Sequence, residues 1–227
     1  MTPPALASDG FLTISAALPA ATLVQIAAQP EIADASDWDA GTRNLLTQPW
    51  CRALAAVLRE RLLDAQVLQA DNAAVQCTLF RKSHATNWKV ALHQDLSIPV
   101  ARRVEHPQLQ AWSNKEGGHF VQPPIALLQR LTAVRLHVDP CGPGDGPLRV
   151  VPGSHRHGKL DAAHAAALRK ARGETECTAQ PGDLLIMRPL LLHASSKAIE
   201  PSGRRRVLHF LFGPHDPGFG LRWSTAI

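Results

Sequence analysis

From residue 74 onward the chain breaks into short apolar or β-branched runs. These are Ala74 to Phe80, Leu131 to Val138, Leu148 to Val151, Glu176 to Ala179, Leu184 to Met187 and Val207 to Phe212. Turn-forming residues separate them, as in Cys141-Gly-Pro-Gly-Asp-Gly-Pro147, Pro152-Gly153 and Pro181-Gly182-Asp183. Short runs bounded by such turns read as the strands of an all-β barrel or sandwich. Two helical insertions interrupt them, Pro124 to Arg130 and Asp161 to Arg172. Strands and helices do not alternate as βαβ units, and no Gly-rich phosphate loop occurs, so a doubly wound nucleotide-binding fold is disfavoured.

The first seventy residues have a different texture. Phe11 to Ile14 reads as a short strand and Pro19 to Ala28 as a helix. Thr47 reads as an N-cap with Pro49 in the first turn. Trp50, Leu54, Val57, Leu58, Leu62 and Leu63 then recur at helical spacing to about Asp64. Val67-Leu68 reads as the beginning of another strand. The expected organisation is one domain over residues 1–227: a mostly helical preface (1–70), a β core (71–215) and a C-terminal tail (216–227).

A chain of 227 residues with 45% hydrophobic and 19% charged side chains is globular in composition. At that length it buries roughly 70% of its unfolded surface and needs no disulfides. The four cysteines form no CxxC pair, which argues against a zinc knuckle and for a reducing, cytoplasmic setting. No Lys or Arg precedes Arg43, so a basic signal-peptide n-region is missing. The best apolar stretch, Ala16 to Ala28, is too short to span a bilayer. The net charge of +5 invites a nucleic-acid partner, but the basic residues are scattered. With no Tyr and only 5% aromatics, stacking platforms for bases are scarce. The unusual count is histidine, at 11.

His93 and Asp95 stand two apart in Ala91-Leu-His-Gln-Asp-Leu96. On an extended segment residues i and i+2 point to one side, so an imidazole and a carboxylate converge. They make two of the three ligands of a 2-His-1-carboxylate triad, which holds Fe(II) on one face and leaves open positions. The third candidate is His193, beyond the apolar run Leu184 to Met187. An oxygenase using 2-oxoglutarate also needs a cation for the distal carboxylate, and the planar fork of Arg suits it. Arg204, Arg205 and Arg206 follow His193 at the start of the next apolar run. Arg206 should point opposite to Arg205 once the strand has begun.

The sequence resembles the phytanoyl-CoA dioxygenase family of Fe(II)- and 2-oxoglutarate-dependent oxygenases, in a bacterial-type form. The resemblance rests on Asn87-Trp-Lys-Val-Ala-Leu-His-Gln-Asp95, Gly146-Pro-Leu-Arg-Val-Val-Pro-Gly-Ser-His155, Pro181-Gly-Asp183, His193-Ala-Ser-Ser196 and Arg205-Arg-Val-Leu-His209, in that order. It implies a double-stranded β-helix: a jelly-roll, cupin-like, mainly β core with an N-terminal helical elaboration. It implies metal ligands His93, Asp95 and His193, and an Arg that binds 2-oxoglutarate, with Ser195 as helper. Counting from His193 gives Arg204; aligning the downstream strand gives Arg205. Around these residues, Gln94, Trp88, Lys89, Arg135 and His137 are candidates for contact with substrate or for support of the ligands.

The implied cofactors are Fe(II), 2-oxoglutarate and O2. The implied reaction hydroxylates a C–H bond of a small molecule and releases succinate and carbon dioxide. Related halogenases lack the carboxylate ligand, so Asp95 favours hydroxylation. Two rival readings remain at this level: a cupin-type metalloenzyme that does not use 2-oxoglutarate, and a non-catalytic basic binding module. Arg102, Arg103, Arg135 and Lys89 would suit an acidic substrate. The state in solution is expected to be monomer or homodimer.

Overall fold

The computed structural model describes residues 2–33, 41–82, 87–199 and 205–227. In chain order the elements are α1 (Pro4–Ser8), β1 (Phe11–Ile14), α2 (Ala20–Ala27), α3 (Pro30–Ala33), β2 (Gly41–Thr42), α4 (Pro49–Asp64), β3 (Asn72–Lys82), β4 (Val90–His93), β5 (Ile98–Val100), β6 (Gln110–Lys115), β7 (Gly118–Gln122), α5 (Ile125–Leu128), β8 (Thr132–His137), β9 (Leu148–Val150), α6 (Ala162–Arg172), β10 (Thr175–Cys177), β11 (Leu184–Met187), β12 (His193–Ser195) and β13 (Arg205–Pro214). Two antiparallel sheets form the jelly roll. The larger has the order β1-β11-β8-β13-β3-β2, and the smaller β10-β9-β12-β4. A third sheet, β5-β7-β6, closes over one end.

Period-two alternation divides the strands of the large sheet into two faces. Leu208, Phe210 and Phe212 of β13 point outward, with Val134 and Leu136 of β8, Leu184 and Ile186 of β11, and Cys77 and Leu79 of β3. They pack against α2, α3 and α4, whose inward residues include Leu23, Ile26, Ile32, Leu54, Leu58 and Leu62. The opposite face of β13 carries Arg205, His209 and Leu211, and that of β3 carries Gln76, Thr78 and Phe80; these line the barrel interior. A bulge between Leu211 and Phe212 keeps the two strands in step past Val75. On the far side, α6 covers the small sheet through Ala165 and Leu168, against Val151, Leu192 and Leu92.

Several expectations shift by a few residues. Thr47 is not the N-cap of α4: that place falls to Gln48, which makes no side-chain cap bond, while the Thr47 hydroxyl donates to Asn44 O at 2.8 Å. Val67-Leu68 does not begin a strand. The Val67 N–H bonds Leu62 O and the Gln66 N–H bonds Leu63 O, with Gln66 at φ +57°. Those two bonds form the Schellman stop of α4, and Val67 and Leu68 are buried as part of that stop. β10 ends at Cys177, and Ala179 instead makes an isolated bridge to Cys141.

Candidate metal centre and its cavity

The two histidines come together because their strands are neighbours. His93 ends β4, His193 begins β12, and the pair are direct register partners in the small sheet. Their ring centroids lie 4.2 Å apart. Asp95 arrives two residues past His93, in a turn pinned by the Asp95 N–H to Pro189 O at 2.9 Å. Its Oδ1 lies 3.6 Å from His93 Nε2 and 3.8 Å from His193 Nε2. One ligand atom from each of the three residues falls within 4.8 Å of the others.

Each histidine is oriented by the same local device. The Nδ1 of His93 sits 2.9 Å from Ala91 O and that of His193 2.9 Å from Leu191 O, each carbonyl two residues upstream. A carbonyl there takes the Nδ1 proton and leaves Nε2 as a lone-pair donor aimed at the common point, as metal-binding histidines are commonly held. Burial pushes the His193 pKa down to about 4, so its ring is neutral at physiological pH. Burial also works to lower His93, but the hydrogen bond and charge of Asp95 outweigh it and raise the pKa. Burial works to raise Asp95, yet the surrounding His193, His93 and His209 hold its carboxyl well below the usual range. An anionic carboxylate with two imidazole Nε2 atoms is a donor set that fits Fe(II).

A cavity of about 360 Å³ opens from this point toward the large sheet. Arg205 lines it and is buried. Its Nη1 donates to Gly146 O, and its Nε has no partner. Arg206, one residue on, faces the other way and is clamped by Asp139, with Nε and Nη2 contacts of 2.7 Å each. Arg204 lies outside the described residues. Ser195 lines the cavity too, donating to Gly146 O at 2.9 Å and accepting from Lys82 Nζ at 2.7 Å. Gln94 turns away from the ligands, as the alternation requires. Its amide donates to Gly158 O and Leu190 O, both at 2.7 Å, and accepts from the Leu160 N–H at 2.9 Å.

The remaining candidates divide. Trp88 is half-buried and lines the cavity, with Lys82 Nζ 5.7 Å from its ring centroid. Lys89 corrects an expectation: it is exposed and does not line the cavity, because the irregular pairing of β4 with β12, where His193 opposes His93 but Ser195 opposes Val90, turns Trp88 and Val90 inward and Lys89 out. Arg135 lines the cavity and is buried. His137 is buried without lining it, and neither ring nitrogen has a partner. Burial and the charges of Arg135 and Arg205 push the His137 pKa down to about 3.

Sequence reasoning passed over Lys82 and His209. Lys82 is 2% exposed, and burial with Arg205 beside it lowers its pKa to about 8. His209 Nε2 lies 3.9 Å from Asp95 Oδ2, while its Nδ1 is 3.2 Å from Arg135 Nη1. The signal was present on β3, where Gln76, Thr78 and Lys82 interrupt an apolar run at even positions.

The family model of phytanoyl-CoA dioxygenase matches residues 6–207. No curated protein matches the chain. Among solved structures, the apoform of EctD from S. alaskensis is 20% identical with a TM-score of 0.64, over 92% of this chain and 75% of that one. HygX from Streptomyces hygroscopicus, with nickel, 2-oxoglutarate and hygromycin B bound, is 20% identical with a TM-score of 0.63, over 92% and 84%. The non-heme α-ketoglutarate-dependent epimerase SnoN from nogalamycin biosynthesis is 14% identical with a TM-score of 0.68, over 95% and 84%. With a family match across most of its length, the chain belongs to the phytanoyl-CoA dioxygenase family and is an Fe(II)- and 2-oxoglutarate-dependent dioxygenase.

Proposed function

We propose that the protein hydroxylates a C–H bond of a small molecule, with Fe(II) held by His93, Asp95 and His193. The observation that carries this reading is the meeting of those three side chains at the wall of a cavity whose opposite wall bears Arg205. When bound, iron and 2-oxoglutarate supply the oxidising chemistry, in which O2 is consumed and succinate and carbon dioxide are released. The chain's own residues bind, orient and exclude water. Arg205 holds the distal carboxylate of 2-oxoglutarate, and Lys82, its register partner on β3, adds its charge from behind the cavity wall, where its ammonium is bonded to Ser195. Gln94 fixes the backbone around the ligands. Phe80 and Trp88 line the same cavity and keep water from it.

We also read residues 1–227 as one oxygenase domain, because β1 and β2 from the N-terminal segment form the two edges of the large sheet. No described helix is long and apolar enough to cross a membrane. All four cysteines are free and buried, as a reducing cytoplasm would keep them. The test is anaerobic reconstitution with Fe(II) and 2-oxoglutarate. A weak visible metal-to-ligand charge-transfer band is expected for the wild type and not for His93→Ala. If the wild-type chain shows no band and binds neither component, the reading fails.

A further inference from the structure

The geometry points to a small carboxylic acid as the substrate, its carboxylate received by Arg135; this rests on the oxygenase reading above. Arg135 projects from β8 into the cavity; its guanidinium lies 5.5 Å from the Phe80 ring centroid, and only one of its nitrogens makes a hydrogen bond. Nη1 meets His209 Nδ1 at 3.2 Å, Nε is buried without a partner, and Nη2 makes no hydrogen bond. Nη2 is the free donor that can meet a carboxylate with a charge-assisted bond, while Nε is closed off from the cavity. Among the described residues no carboxylate lies within 4.0 Å of it, and Asp95 is the only acidic side chain lining the cavity. Apart from the Phe80 ring face, this buried cation has no counter-charge within ion-pair distance among the described residues, and an entering anion would supply one.

2-Oxoglutarate does not supply that anion. Arg205 and Lys82 stand opposite each other at one level of the sheet, with Ser195 against Lys82. Arg135 stands opposite His209, four residues along β13 from Arg205. That is about 13 Å of strand. Charge accounting leaves a positive excess. Fe(II) with Asp95 carries one positive charge and Arg205 with Lys82 two, so the two carboxylates of the co-substrate leave one over before Arg135 is counted. Arg135 then remains, with Lys115 at the rim over the Phe120 ring at 4.9 Å. Burial and the nearby Arg205 lower the Arg135 pKa only to about 10, so it stays charged. Thr78 and Gln76 line the same stretch of wall and offer polar contacts beside the carboxylate. The cavity, open at one side, is near the lower end of the roughly 300–1,000 Å³ usual for ligand sites, and 2-oxoglutarate shares it. The part of the acid held inside it is therefore small.

The test titrates the anaerobic Fe(II)–2-oxoglutarate complex with straight-chain C2 to C6 monocarboxylates and their primary amides, at fixed ionic strength. The charge-transfer band is the readout, and succinate release in air is the second. The acids are expected to shift the band without bleaching it and to raise succinate release, at concentrations at least tenfold below any effect of the amides. Arg135→Gln should lose the response to acids while retaining the band, and Arg135→Lys should recover part of it. The proposal is overturned if no acid shifts the band, if amides act equally, if the acids bleach it by displacing 2-oxoglutarate, or if Arg135→Gln loses 2-oxoglutarate itself. The acid-against-amide comparison on the wild type stands even where the variants fail to fold. A wild type without any band would count against the oxygenase reading, a different failure from a band that ignores acids.

Discussion

The two walls of the cavity are finished to different degrees. On the small-sheet wall the described polar groups have partners: the Nδ1 atoms of His93 and His193 meet carbonyls, and the Gln94 amide meets two carbonyls and an N–H. On the large-sheet wall Arg135 Nε and Arg205 Nε are buried without partners. Buried polar groups in proteins are rarely left so. One wall is pre-organised for a cation and asks nothing further of the protein. The other wall carries two buried arginines, Arg135 and Arg205, that have no carboxylate partner among the described residues. The same jelly roll builds both because its two sheets present independent inner faces at period two.

Breaking the finished wall has the largest expected effect. His193→Ala or Asp95→Ala should abolish stoichiometric Fe(II) binding and with it succinate release, read by metal analysis and coupled product assay. Breaking the unfinished wall costs affinity for one component only. Arg205→Ala should weaken 2-oxoglutarate binding by about 2–5 kcal/mol, the usual cost of truncating one partner of a buried charge pair, or roughly 30-fold and upward. Fe(II) affinity should be unchanged in that variant, which separates the walls in a single pair of titrations.

Gln94 tests how far the finish of the first wall matters. Gln94→Ala leaves Gly158 O, Leu190 O and the Leu160 N–H without their partner. A buried group left so costs about 1–3 kcal/mol, and loss of a supporting hydrogen bond around a metal site lowers affinity about 10–100-fold. A lowered melting temperature together with weakened Fe(II) binding is expected. Unchanged Fe(II) affinity would mean that the ligands hold their geometry without it.

Lys82 gives the opposite wall a pH dependence. Its pKa in the free protein is lowered to about 8, burial being the largest cause and Arg205 the next. Below that pH the ammonium is present and attracts the 2-oxoglutarate carboxylate. Above it, binding must take up a proton, so the dissociation constant should rise by up to about tenfold per pH unit. Lys82→Met should bind more weakly and lose this slope between pH 7.5 and 9. A slope that persists in the variant would assign the titration to another group.

The metal wall was legible in the sequence because its signal is short-range: His-x-Asp is a spacing, and the register of an extended segment follows from it. The choice between Arg205 and Arg206 was legible for the same reason, since neighbours in a strand take opposite faces. Lys82 was not, because next to Arg81 it read as one of several small basic groups. Its burial comes from pairing β3 with β13, a contact between residues more than a hundred positions apart. The sheet β5-β7-β6 was missed on other grounds. Its β6 runs Gln110-Ala-Trp-Ser-Asn-Lys115, mostly exposed and without apolar alternation. Its hairpin turn uses positive φ at Glu116 and Gly117, where an Asn-Gly pair would have been the plainer cue.

Lys89 is the smallest effect and the cleanest control. It stands in the motif that carries the first ligand, four residues before His93, and by proximity in sequence it looked like a cavity residue. Alternation counted back from His93 would turn Lys89 inward, but the irregular β4–β12 pairing shifts the count, so Trp88 and Val90 take the cavity and Lys89 stays in solvent. An exposed side chain away from any cap, core or buried pair usually changes stability by no more than about 0.5 kcal/mol when replaced. Lys89→Ala should therefore leave kcat, the KM for 2-oxoglutarate and the melting temperature within about twofold, or about a degree, of the wild type. Trp88→Ala, one residue away, should raise the KM for 2-oxoglutarate, because it removes the ring beside Lys82 and admits water to that end of the cavity. If the two neighbouring variants behave alike, the shift in register does not set the facing of this segment, and the division between the two walls loses its basis there.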